Sequence, residues 1–121
     1  MKLRIKGNSL RYRLTKSDVS QLAENGYLEE KVDFGEQVLI YALKVIDTNA
    51  LTSTFKNNVI TVFLPLNMLT ELHDTDKVGF EGSHGTLYLL IEKDFTCLDN
   101  VAEDQSDNYP NPLAEKFYEK E

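Results

Sequence analysis

The opening of the chain alternates. Leu3, Ile5, Leu10, Tyr12 and Leu14 fall on one face of an extended segment, and the cations Lys2, Arg4, Lys6, Arg11 and Arg13 fall mostly on the other. A period of two is the mark of half-buried strands. Gly7-Asn8 in the middle suits a two-residue hairpin turn, with glycine supplying a positive φ. Thr15 and Asp18 then form a capping-box pattern, and Val19, Leu22 and Ala23 share a helical face. Gly26 is a C-terminal stop for that helix. "YLEEKVDF", a turn at Gly35-Glu36 and "QVLIYALKVI" predict two more strands.

The second half runs in the same order. "LTSTFK", Asn57-Asn58 and "VITVFL" predict a hairpin. Pro65 opens a short helix whose apolar side is Met68, Leu69 and Leu72. "KVGFEG" and "TLYLLIEK" predict a closing pair of strands around a "SHG" turn. Sliding the halves by fifty residues aligns Lys6 with Lys56, Asn8 with Asn58, Leu14 with Leu64 and Leu22 with Leu72. The expected fold class is therefore α+β, mostly β. Its two ββαββ units, residues 1–46 and 51–96, arise by internal duplication and pack as a pseudo-dimeric, swapped-hairpin-like barrel. The last strand of each unit, Val38 to Val45 and Leu87 to Ile91, is apolar on both faces and is expected at the centre.

Length and charge refine this. The 121 residues fit one globular domain over 1–98. Residues 99–121 then form an acidic tail, read as flexible over 99–111, with a candidate short helix over 112–119 behind Pro112. The net charge of -7 is unevenly spread. Residues 1–16 carry +6, residues 17–98 carry -8 and the tail carries -5. A chain this acidic is not an indiscriminate nucleic-acid binder, but it has a local basic patch. The single cysteine, Cys97, excludes an internal disulfide framework and points to the cytoplasm. No apolar run reaches membrane-spanning length.

The second unit, from Asn57-Asn58 through "VITVFLP", "LNMLTEL" and "DTDKVGF" to "TLYLLIEK", resembles the swapped-hairpin domain of AbrB-type transcription regulators. The resemblance covers about residues 51–93 and, more loosely, 1–46. MraZ-like regulators similarly carry two such units in one chain. The resemblance implies a swapped-hairpin fold and DNA binding. Asn58-Val59 stands where that family usually has Gly-Arg before the proline strand. The whole chain is also similar to a group of small uncharacterised bacterial proteins that open like "KLRIKGNSLRYRLTKSDV" and close like "EKDFTCLD" and "YPNP". That similarity implies no catalytic residues.

With a two-residue turn at Gly7-Asn8, Arg4 opposes Arg11 and Lys2 opposes Arg13. Like charges across a strand pair disfavour pairing by a few tenths of a kcal/mol up to about 1 kcal/mol per pair. An anion must offset them. The candidates are Glu29, Glu30 or Asp33 on a neighbouring strand, the protein's own acidic tail, or an external partner, either nucleic acid or an acidic protein. Lys2, Arg4, Lys6, Arg11 and Arg13 are accordingly the expected binding residues. A homodimer is a further candidate arrangement, because swapped-hairpin modules usually dimerise.

No cofactor motif, catalytic set or metal signature emerges. Cys97, His73 and His84 match no zinc spacing. Asp94 and Asp99 near Cys97 would raise a thiol pKa rather than activate it. The Asp74 to Asp76 acids read as turn chemistry. The sequence thus predicts a non-enzymatic interaction or regulatory protein, with an AbrB-like DNA-binding regulator as the alternative and an enzyme with a pocket between the units as a third, weaker reading.

Overall fold

A computed structural model of the chain describes residues 1–95 and 106–110. The elements run β1 (Lys2–Ile5), β2 (Ser9–Leu14), α1 (Lys16–Asn25), β3 (Tyr27–Asp33), β4 (Val38–Ile46), β5 (Thr52–Lys56), β6 (Val59–Pro65), α2 (Leu66–Asp74), β7 (Gly79–His84) and β8 (Leu87–Lys93). The order ββαββ thus occurs twice. The class is α+β and mostly β.

Local chemistry sets the boundaries. Asn57 and Asn58 both take positive φ (52° and 66°), as a tight two-residue hairpin turn with matched twist requires. Thr15 caps α1 reciprocally. Its hydroxyl accepts from the Asp18 amide at 3.3 Å, and Asp18 Oδ2 accepts from the Thr15 amide at 2.9 Å. Gly26 ends the helix in the left-handed region at φ 70°, where its N–H donates to the Leu22 carbonyl.

Two four-stranded sheets result, in the orders β1-β2-β8-β7 and β3-β4-β6-β5. Each takes one hairpin from the first half of the chain and one from the second. The joins are parallel. Tyr12 lies opposite Ile91 in the first sheet, and Leu43 lies opposite Val62 in the second. β4 and β8 are interior strands, as their apolar character predicts. The sheets face one another across a core of Tyr12, Leu14, Leu89 and Ile91 from the first and Leu43, Val62 and Leu64 from the second. Val19, Leu22, Leu69 and Leu72 of the helices join that core. The ring of Tyr12, fully buried, meets Tyr41 edge-on at 6.2 Å. Burial pushes the Tyr12 phenol well above its ordinary pKa. Gly79 sits where a Cβ would come within 2.5 Å of the Ile91 carbonyl oxygen, so β7 can approach β8 only with glycine there.

One expectation fails. The strands do not close into a barrel. Among the described residues each sheet keeps two edges, β1 and β7 in one and β3 and β5 in the other. The reason lies in the crossings. α1 carries the chain from β2 in the first sheet to β3 in the second, and α2 carries it back from β6 to β7. Helices rather than shared strand ladders therefore bridge the layers. No helix among the described residues is long and apolar enough to cross a membrane.

Residues 106–110 of the C-terminal segment are docked. The Asp107 carbonyl accepts from the Lys16 amide at 3.1 Å, and the Tyr109 amide donates to the Asp94 carbonyl at 2.9 Å. Asn108 is buried. Aromatic packing of Tyr109 on Phe95, with ring centroids 6.2 Å apart, offsets part of the entropy of ordering these residues. The candidate helix over 112–119, and Cys97, lie outside the described residues.

The carboxylate of Asp107 accepts hydrogen bonds at the start of α1, from the Thr15 hydroxyl and from Ser17, and these hold its pKa below the usual aspartate value. The ionised form is the one the docked segment favours. Its contribution is complete above the unfolded aspartate range and is lost as pH falls through the lower, folded value. In an NMR titration the Lys16 and Ser17 amides should therefore keep their shifts through the ordinary aspartate range and move together only below it. An Asp107→Asn variant should show no such transition.

Candidate functional site

The five cations of the first hairpin occupy the register that the turn predicts: Lys2 opposite Arg13 and Arg4 opposite Arg11. The turn is tied at three points. Ser9 Oγ donates to the Lys6 carbonyl at 2.5 Å, Asn8 Nδ2 donates to the Thr86 carbonyl at 2.9 Å, and the Tyr88 amide donates to the Asn8 carbonyl at 3.1 Å. The β1–β2 turn is thereby locked to the start of β8.

The parallel neighbour of β2 decides what its arginines meet. Arg13 pairs in register with Glu92, and Arg11 with Leu90. Glu92 Oε1 lies 3.2 Å from Arg13 Nε and 3.4 Å from Arg11 Nε. Lys2 Nζ lies 3.1 Å from Asp94 Oδ2, a carboxylate that is almost wholly buried. Among the described residues the internal acids are therefore Glu92 and Asp94. Glu29, Glu30 and Asp33 do not serve, because β3 belongs to the other sheet. Glu30 faces the α-amino group of Met1 instead, at 3.7 Å.

Arg4 and Lys6 remain. Among the described residues neither has a carboxylate within ion-pair distance. With Ser9 and Arg11 they line a hollow of about 130 Å³ on the outer face of the first sheet, beside Tyr88 and Leu90. The Tyr88 hydroxyl donates to Glu81, and that bond raises the pKa of the phenol. The ring thus stands as a fixed neutral wall. The arrangement offers two cations with no carboxylate beside them among the described residues, a third shared with Glu92, and an apolar side, which together suit a carboxylate or phosphate oxygen.

A family model matches residues 1–113. The chain belongs to the family of unknown function DUF7009. No match was found among curated proteins or among solved structures. The DUF7009 match spans both sheets, both helices and the docked segment, so the hollow lies wholly within it.

The sequence brought out Arg4, Lys6 and Arg11 but not their companions. Alternation in "TLYLLIEK" places Tyr88, Leu90 and Glu92 on one face. Nothing in that pattern says that β8 lies beside β2, almost eighty residues away. The histidines are apart. His84 Nδ1 accepts from the Ser53 amide at 3.0 Å, and His73 Nδ1 lies 2.6 Å from Asp74 Oδ1. Among the described residues no three metal-ligating side chains cluster.

Glu92 is mostly buried between two arginines, so its loss leaves like charges opposed. Glu92→Gln should cost about 1 kcal/mol in urea unfolding at low salt. Salt should erase most of that difference. An unchanged midpoint at low salt would show that Arg11 and Arg13 do not lean on Glu92.

Proposed function

We propose that this chain is a non-enzymatic interaction protein whose contact surface is the turn end of the first hairpin, and that its partner is an acidic protein segment. The observation that carries this reading is the division of the five cations. Lys2, Arg11 and Arg13 have carboxylates of the chain beside them, while among the described residues Arg4 and Lys6 have none. Two charges left open on a locked turn are a contact surface rather than a solvated face of mobile lysines. Tyr88 and Leu90 beside them suit an acid flanked by apolar side chains. The overall charge of -7 opposes close approach to a long polyanion and weighs against nucleic acid.

A second reading has its own support. Hairpins from the two halves combine in each sheet, which fits an internally duplicated, swapped-hairpin architecture of the AbrB type. In that reading Arg4, Lys6 and Arg11 contact DNA phosphates or base edges. So few contacts would give weak binding that falls steeply with salt.

Fluorescence anisotropy separates the two. The probes are a labelled peptide alternating glutamate with leucine and a labelled short duplex of random sequence. The peptide should bind at low salt, and the exposed pair Arg4→Glu and Lys6→Glu should weaken it by about tenfold or more without changing the unfolding midpoint. Preferential binding of the duplex, lost in the same variant, would favour the DNA reading. Silence of both probes at low salt would contradict both.

A further inference from the structure

The docked segment 106–110 sits in a groove made from three elements. At one end lies the start of α1, where the Lys16 amide donates to the Asp107 carbonyl and the Ser17 amide donates to Asp107 Oδ1 at 3.3 Å. Free amides and the positive end of the helix dipole favour an acid there. In the middle, Asn108 is buried, and Tyr109 adds one parallel bridge to Phe95 beyond the end of β8. At the far end, the Tyr109 ring lies edge-on to Phe95 and under Lys93 Nζ, 4.7 Å from its centroid.

Several parts of the groove are held by contacts that do not involve the segment. Lys93 Nζ is held by the Thr75 carbonyl at 2.9 Å, at the C-terminal end of α2. The Lys93 amide donates to Val78 and the Asp94 amide donates to Leu14. The Thr15–Asp18 capping box fixes the helix start. A slot of this kind, with an acid subsite, a backbone rung and an aromatic subsite two residues on, has the form of a peptide-reading site.

We infer that this groove is a second binding site of the protein, which takes a partner segment carrying an acid two residues before an aromatic, and that residues 106–110 fill it in cis as a competing strap. The occupant's chemistry is given by the strap itself, Asp107-Asn108-Tyr109. Thirteen residues lie between Phe95 and Tyr109, so the strap acts at an effective concentration on the order of millimolar. An external segment must therefore bind more tightly than the strap or arrive when the strap is released. This site uses neither Arg4 nor Lys6, so it stands or falls separately from the hairpin surface.

The test uses the full chain and a labelled peptide, Ser-Asp-Asn-Tyr-Pro-Asn-Pro. The double variant Asp107→Lys and Tyr109→Ala should bind it at least about tenfold more tightly than the unaltered chain. A peptide with the acid and the aromatic both replaced by alanine should not bind. A second measurement does not depend on that variant folding. Saturating unlabelled peptide added to the unaltered chain should speed hydrogen exchange at the Tyr109 amide while the Lys16 and Ser17 amides stay protected. Equal, non-specific binding of both peptides, or no change at Tyr109 under saturating peptide, would overturn the inference.

Discussion

Two parallel strand pairings, β2 with β8 and β4 with β6, determine the rest of this molecule. Each joins a hairpin from the start of one half to a hairpin from the end of the other, so neither half can complete a sheet alone. The pairings are stabilised by what they bury. Tyr12, Leu14, Leu89 and Ile91 lie on the inner side of one join, and Leu43, Val62 and Leu64 lie on the inner side of the other. Burial of each large side chain contributes on the order of 1.5–3 kcal/mol. α1 and α2 carry the chain from one sheet to the other and also join the core between them.

The same register settles the electrostatics of the opposite face. Because side chains alternate, placing Tyr12 and Ile91 inward places Arg11, Arg13, Leu90 and Glu92 outward. One glutamate then lies between two arginines, and the buried Asp94 just beyond β8 draws in Lys2. Arg4 and Lys6, on the edge strand and its turn, make no ion pair with those acids. The unpaired charge is thus a consequence of strand register, not of composition.

Much of this was legible in the sequence. The period of two, Gly7-Asn8, Thr15 with Asp18, Gly26, Asn57-Asn58 and Pro65 mark the elements, because each acts through its immediate neighbours. The pairing of Arg4 with Arg11 follows from the turn alone. What was not legible is non-local. Glu92 and Tyr88 meet the hairpin only through the parallel join. The open sheets depend on the helices crossing between layers, which alternation does not encode. The docked Asp107 and Tyr109 sit in a polar, proline-punctuated stretch whose composition hides two specific anchors.

The division of the hairpin cations into paired and unpaired is the central claim, and inorganic phosphate probes it most directly. In an NMR titration of the full chain at low ionic strength, phosphate should shift the side chains of Arg4 and Lys6 and the neighbouring Ser9 and Tyr88 signals, and leave Lys2 and Arg13 nearly unmoved. Equal shifts across all five cations would contradict the account, because they would mean that Glu92 and Asp94 neutralise nothing.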